Sequence, residues 1–134
     1  MKQIKIFFFI ALLAAGLAAC KHDFPVDEDG LLITTRAECY VSNFELLGAD
    51  YVTVRTKAAV IDTVAQTVTV EVLYGTDLKN LYPQFSLVTD AKLDPKITGK
   101  TDFSDLANPR TWTVIAGNRQ VRKAYKVIVS VQKK

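Results

Sequence analysis

Thr67-Val68-Thr69-Val70-Glu71-Val72-Leu73 is the stretch whose reading decides the fold. Val68, Val70 and Val72 fall on one side of an extended chain while Thr67, Thr69 and Glu71 fall on the other, the period of a strand with one face on a core. The same period returns from Val121 to Gln132. There Tyr125, Val127, Val129 and Val131 alternate with Arg122, Ala124, Lys126 and Ser130, and Ile128 is the one apolar residue on the outer side. Shorter runs stand at Tyr40 to Leu47, Tyr51 to Thr56, Ala58 to Asp62, Phe85 to Thr89 and Thr111 to Ala116. Gly117-Asn118 lie between the last two long strands, and both tolerate positive φ, which suits a tight hairpin. No segment keeps apolar residues at three-and-four spacing for three turns. The expectation is an all-β chain, an antiparallel sandwich of about seven strands.

The N-terminal end carries a different signal. Lys2 and Lys5 precede an apolar run from Ile6 to Ala19, and Leu17-Ala18-Ala19-Cys20 ends it. A basic start, an apolar stretch and small residues before the cut describe a secretory signal. The cysteine directly after Ala18-Ala19 resembles the lipobox of bacterial lipoproteins, which implies cleavage of residues 1–19 and acylation of Cys20. The alternative is a transmembrane helix, but the run is shorter than the ~20 residues a bilayer span needs. At about 0.8 kcal/mol per buried methylene, the two or three chains of such an anchor hold a protein firmly to the membrane.

What remains after residue 19 is enough for one domain and not for two with proper cores. Without Lys2 and Lys5 it carries 15 basic and 14 acidic side chains, a balance that gives no reason to invoke nucleic acid. Arg119, Arg122, Lys123 and Lys126 are the one local basic cluster and read as the solvated face of a turn and strand. With Cys20 lipidated, Cys39 has no partner for an internal disulfide and reads as a buried, inert thiol beside Tyr40 and Val41. Residues 20–36 are polar or acidic, with Pro25 and Gly30, and read as a flexible tether. The sixteen residues from Lys21 to Arg36 reach roughly 55 Å when extended and span about 20 to 25 Å as a coil. Residues 37–134 are left for the sandwich.

Gly75-Thr76-Asp77-Leu78-Lys79-Asn80-Leu81-Tyr82-Pro83 follows a strand, and Thr101-Asp102-Phe103-Ser104 precedes one that ends in Trp112-Thr113-Val114-Ile115-Ala116-Gly117. With the closing Tyr125-Lys126-Val127-Ile128-Val129, this resembles the immunoglobulin-like domain of many lipoproteins of Bacteroides-type bacteria. In that family a strand ends in a Gly-Thr-Asp-Leu turn, and an Asp-Phe-Ser turn leads to a Tyr-x-Val-x-Ala strand. A Tyr-x-Val-x-Val strand closes the sheet. Trp112 replaces the usual tyrosine here, Asn118 stands where an Asp-Gly turn is common, and residues 104–110 run longer. The strand count and spacing independently match an immunoglobulin-like sandwich. The resemblance implies a fold, while activity has to be argued from a site.

Asp77 and Asp102 are placed to accept backbone N–H bonds in turns, and Leu78, Leu81 and Phe103 to plug the ends of the sandwich. Trp112 and Tyr125 face inward on adjacent strands. The sole histidine, His22, lies in the tether, so no Ser-His-Asp or Cys-His arrangement forms in the domain, and no His-based metal site does. Asp90, Asp94, Asp102 and Asp105 are the carboxylates that a sugar-cleaving pair would draw on, but such a pair needs a cleft. Asp27-Glu28-Asp29 lacks the fifth-position oxygen ligand and sixth-position glycine of a calcium loop and reads as solvated tether. The reading is a protein without enzymatic activity, cofactor or metal.

Two function classes follow. In the first, the chain is a non-catalytic accessory or binding subunit of an outer-membrane glycan or peptide importer, because the resemblance implies company with SusC/SusD-type transporters and their receptor lipoproteins. The candidate ligand-binding residues are then Tyr74 and Tyr82, which flank the Gly-Thr-Asp-Leu loop and offer a stacking surface, with capping of the core as their competing role. In the second, it is a structural envelope lipoprotein or scaffold with no small ligand. By the same resemblance, the acidic residues after Cys20 point to the exterior face of the outer membrane, with a periplasm-facing anchor as the alternative.

Overall fold

The computed structural model describes residues 24–134. The expected signal segment, Cys20 and His22 lie outside the described residues. Two units are distinguished, one ending at Leu32 and one comprising Ile33–Lys134. In the described part of the first, Val26 bridges Leu32 across a turn in which Asp27 Oδ1 accepts the N–H groups of Asp29 and Leu31. The Asp27-Glu28-Asp29 run is thus a turn stabilised by its own first carboxylate.

The second unit contains seven strands: β1 (Val41–Leu47), β2 (Val60–Asp62), β3 (Thr67–Val72), β4 (Tyr82–Leu87), β5 (Lys92–Asp94), β6 (Arg110–Ile115) and β7 (Arg122–Val131). β1 and β4 form a two-stranded sheet, and the other five lie in the order β2-β3-β7-β6-β5. Among the described residues there is no helix. The fold is therefore the all-β, immunoglobulin-like sandwich of seven strands that the alternation predicts.

Val68, Val70 and Val72 are fully buried, as are Tyr125 and Val127 of β7, so both decisive stretches face inward with the predicted phase. In β1 the phase shifts: a bulge between Val41 and Asn43 lets Val41, Phe44 and Leu46 all point into the core despite their uneven spacing. Each such fully buried Val, Leu or Phe contributes about 1.5 to 3 kcal/mol. Phe85 of the small sheet meets Phe44 at 4.8 Å and Trp112 of the large sheet at 5.3 Å between ring centroids. Trp112 pairs with Tyr125 across β6 and β7, and Phe103 closes over it at 6.0 Å. Cys39 is buried against these strands with its thiol donating to the Val114 carbonyl at 3.1 Å, and burial pushes its pKa up.

Four details depart from the sequence reading. β3 and β7 are parallel, in a register running from Thr67 opposite Lys126 to Val72 opposite Val131, while the remaining pairs are antiparallel. Alternation reports which face of a strand is buried and is blind to its neighbour's direction. Residues 51–56 are not a strand. They lace the sheets together, since Val54 donates its N–H to Leu46 O of the small sheet at 3.0 Å and accepts from Leu73 N, just past β3, at 2.8 Å. β5 lies outside every run read from the sequence, since Lys92-Leu93-Asp94 carries a single apolar residue and so shows no alternation. In the β6–β7 hairpin the positive φ belongs to Arg119 (60°) and not to Gly117 or Asn118. Gly117 is needed for space instead, because a Cβ there would lie 2.8 Å from the Asp90 Cβ and collide with the Thr34 hydroxyl. Thr34 N donates to Gly117 O and Asn118 N to Arg36 O, so ordered packing begins ahead of Ala37.

Candidate functional site

Tyr82 opens β4, paired in register with Leu47, the last residue of β1. Its neighbour Pro83 is buried, so by strand alternation the Tyr82 ring points away from the core. After Leu47 the chain reverses tightly. Gly48 N–H donates to Val52 O at 2.8 Å, Tyr51 N–H donates to Gly48 O at 2.9 Å, and Asp50 Oδ1 accepts the Val52 N–H at 3.2 Å. This turn holds Tyr51 at φ 62°, a left-handed conformation uncommon for an aromatic residue. Its side chain is thereby thrown back over Tyr82. The two rings stack with centroids 4.7 Å apart and planes 18° apart, and their hydroxyls are 3.4 Å apart. That hydroxyl contact is the main reason the Tyr82 phenol is raised above its ordinary pKa. Tyr51 remains 66% exposed, which leaves most of its outer surface open to solvent.

Polar groups continue along the same face of the small sheet. Glu45 of β1 stands opposite Gln84 of β4, two residues along from Tyr82 and so about 7 Å away. Glu45 is fixed from two sides. Thr53 Oγ1 donates to its Oε1 at 2.6 Å, and Arg55 Nε meets its Oε2 at 3.0 Å while another Arg55 nitrogen donates to Phe44 O. Lys100 approaches from the other side, its Nζ 6.0 Å from the Tyr82 ring centroid. The segment carrying it is clipped to the start of β4 by paired backbone bonds between Leu81 and Thr101 at 2.7 and 3.3 Å. The result is a stacked aromatic pair bordered by anchored hydrogen-bonding groups and a cation.

Of the two tyrosines proposed from the sequence, Tyr82 lies in this arrangement. Tyr74 is exposed and its ring lies 5.6 Å from Lys134 Nζ, while the ring stacked on Tyr82 is that of Tyr51. Tyr51 falls in the run Tyr51 to Thr56, which the sequence alone reads as a strand, so alternation does not single it out as an exposed ring. Gly48-Ala49-Asp50 was the available sign that a turn precedes it.

Asp77 and Asp102 serve their turns. Asp77 accepts from the Asn80 amide at 2.8 Å and from Lys79 N–H at 3.1 Å, and Asp102 from the Ser104 hydroxyl and N–H at 2.6 and 2.8 Å. These bonds hold both carboxyls below the usual carboxylate range. Phe103 N–H donates to Leu78 O, which joins the two turns and seats Phe103 and Leu81 in the core. The four carboxylates considered for sugar cleavage are not gathered together. Asp102 and Asp105 line one surface pocket of about 300 Å³, whereas Asp90 pairs with Arg36 at 3.3 Å and Asp94 lies on β5 opposite Thr113. A general acid needs a raised pKa, and that of Asp102 is lowered. Among the described residues no group of three or more His, Cys, Asp or Glu side chains is placed to hold a metal ion.

Residues 50–129 match the family model described as SGBP, N-terminal, and this span begins one residue before Tyr51. No curated protein is similar enough to count as a match. Among solved structures, a candidate glycoside hydrolase from Bacteroides thetaiotaomicron is 28% identical with a TM-score of 0.61, over 73% of this chain and 26% of that one. A DUF4623 family protein from Bacteroides eggerthii is 20% identical with a TM-score of 0.49, over 72% of this chain and 22% of that one. The chain thus spans about a quarter of the length of each of these two proteins.

Proposed function

The chain belongs to the SGBP, N-terminal family, and from that membership we propose that it is a surface glycan-binding accessory protein of a SusC/SusD-type uptake system, non-catalytic and anchored to the outer membrane. The observation that carries the proposal is the stacked Tyr51–Tyr82 pair on the outer face of the small sheet. A pyranose ring presents an apolar face of C–H groups and a rim of hydroxyls. An exposed phenol ring complements the face, and its own hydroxyl reaches the rim. Gln84 and the anchored Glu45 supply further partners for sugar hydroxyls along the strand direction. Rigidity matters here because hydroxyl recognition repays desolvation only when the protein's polar groups are already in position. Glu45 is held by Thr53 and Arg55, and Tyr51 by its turn.

The name of the candidate glycoside hydrolase belongs to a protein of which this chain matches about a quarter, so hydrolysis is no part of the proposal. Location is proposed from the sequence: lipid on Cys20 holds the protein at the membrane, and the polar segment that follows it spaces the sandwich from the lipid. Confinement to a surface raises the effective concentration of a membrane partner, so modest contacts with the importer suffice. The test of binding is calorimetric titration of the full chain with a panel of polysaccharides. Retention of at least one glycan, weakened about tenfold or more by Tyr51→Ala without loss of fold, supports the reading. Binding to none of the panel overturns it.

A further inference from the structure

The face that carries the tyrosines also carries a locked pair of charges. Leu47 is paired with Tyr82 on one side and bridged by Thr53 on the other, so the run after the Tyr51 turn lies along β1 and brings Thr53 and Arg55 beside Glu45. The Glu45 carboxylate accepts at Oε1 from the Thr53 hydroxyl at 2.6 Å and from Leu46 N–H at 3.0 Å, and at Oε2 from Arg55 Nε at 3.0 Å. Arg55 in turn gives Nη1 to Phe44 O at 2.7 Å and to Asn43 Oδ1 at 3.5 Å. Both side chains are fixed by these bonds, yet 20% of Arg55 and 23% of Glu45 stay open to solvent, which leaves the pair reachable by a ligand. A carboxylate oxygen accepts through two lone pairs and a guanidinium donates from three nitrogens, so among the described residues Oε2 keeps an acceptor site and Nη2 keeps N–H to give.

We propose that the Glu45–Arg55 pair reads a vicinal diol, so that the glycan carried by the Tyr51–Tyr82 platform is one whose sugar units keep two neighbouring ring hydroxyls free. This rests on the platform reading of the preceding subsection. A hydroxyl both donates and accepts, and two on adjacent ring carbons stand close enough to meet an acceptor and a donor set side by side. One donates to Glu45 Oε2 while its neighbour accepts from Arg55 Nη2, and both bonds are strengthened by the charge. A lone hydroxyl answers only one of the two groups and displaces water from the other, which is then left unpaired. Because Thr53, Leu46, Phe44 and Asn43 hold the pair before the sugar arrives, binding has little side-chain ordering to overcome. Linkage decides which glycans qualify. Chains joined through carbon four keep neighbouring hydroxyls at carbons two and three, whereas chains joined through carbon three keep only hydroxyls that flank the linked oxygen. The pair selects the first linkage, and stacking on the tyrosines supplies the part of the affinity that is blind to it.

The experiment is calorimetric titration of the full chain with soluble linear glucans, galactans and mannans, each in its carbon-four-linked and carbon-three-linked form. The polymers are long, so that chain ends, which carry free diols in either form, are rare. For at least one sugar the carbon-four-linked polymer is expected to bind about tenfold or more tighter than the carbon-three-linked one. Glu45→Gln is expected to erase most of that preference, and so is Arg55→Lys, which keeps the charge opposite Glu45 and loses the planar fork. Tyr51→Ala is expected to weaken both linkages alike. Each variant is checked by thermal unfolding, and where one does not fold the linkage preference of the parent protein decides. Equal affinity for the two linkages, tighter binding of the carbon-three-linked form, or a preference unmoved by folded Glu45→Gln and Arg55→Lys overturns the proposal while leaving the platform intact. Binding of no polymer overturns the platform reading and this proposal with it.

Discussion

The Phe85 ring meets the Trp112 indole at 5.3 Å and a 58° tilt, joining the small sheet to the large one. Phe85 in turn packs edge-on against Phe44, and Trp112 lies under Phe103, so four aromatic residues from two sheets and a loop form one continuous layer. Truncating its largest member removes contacts on both sides of the sandwich. Trp112→Ala is expected to cost about 3 to 5 kcal/mol in urea unfolding, a large share of the stability of a domain this size. A cost below about 1 kcal/mol places Trp112 outside the core.

Tyr125 makes an instructive contrast. It is fully buried, and among the described residues its hydroxyl finds no hydrogen-bond partner of good geometry. An unsatisfied buried polar group costs about 1 to 3 kcal/mol. Tyr125→Phe keeps the ring and removes the penalty, so the variant is expected to be as stable as the parent or more so by the same measurement. A clear loss of stability reveals a bond to that hydroxyl, with the Val41 backbone N–H as the candidate donor.

Tyr51 combines strain with exposure. Its left-handed φ costs on the order of 1 kcal/mol that glycine does not pay, while its stacking on Tyr82 returns about 0.5 to 1.5 kcal/mol. Tyr51→Gly is therefore expected to leave the thermal midpoint within a few degrees and to abolish measurable glycan binding. Loss of fold with Tyr51→Gly contradicts this accounting.

How far the sequence carried the fold is visible in particular residues. Val68, Val70, Val72, Tyr125 and Val127 were legible because burial on one face imposes a period of two. The direction of β3 against β7 was not, since the valines would be placed identically in either sense. Tyr51 was lost for a related reason: Tyr51, Val52 and Val54 look like a strand in isolation. What bends them into a turn is backbone bonding to Gly48 and Leu46, which is a property of the folded chain.

The carboxyls of Asp77 and Asp102 predict how the loop end responds to acid. Hydrogen bonds in the folded state lower both pKa values from the ordinary 3.8. Their contribution is therefore present above that value and is lost as pH falls through the folded-state values. The two turns are exposed, so the effect is expected to be small and local, appearing in pH-dependent amide shifts of Lys79 and Ser104 below about pH 4. Asp102→Asn is expected to abolish the Ser104 response. An acid response of Ser104 that survives the substitution assigns it to another group.

Cys39 and Cys20 allow the location proposal to be tested on one protein. The Cys39 thiol is buried, donates to Val114 O, and has its pKa raised by burial, so in the folded protein little thiolate is available to attack a reagent. It is expected to resist alkylation in the native protein and to react quickly in denaturant. Lipid on Cys20 is expected to block the second thiol, so protein taken from the membrane fraction should label once on unfolding and not at all before it. In Cys20→Ala the same single label is expected, but on protein released from the membrane or retaining residues 1–19. When native lipoprotein is extracted in mild detergent from cells expressing its neighbours, it is expected to bring down a transporter and a receptor lipoprotein, because a common membrane raises their effective concentration. Two labels on unfolded membrane-derived protein contradict acylation of Cys20, and recovery of the protein alone contradicts the importer assignment.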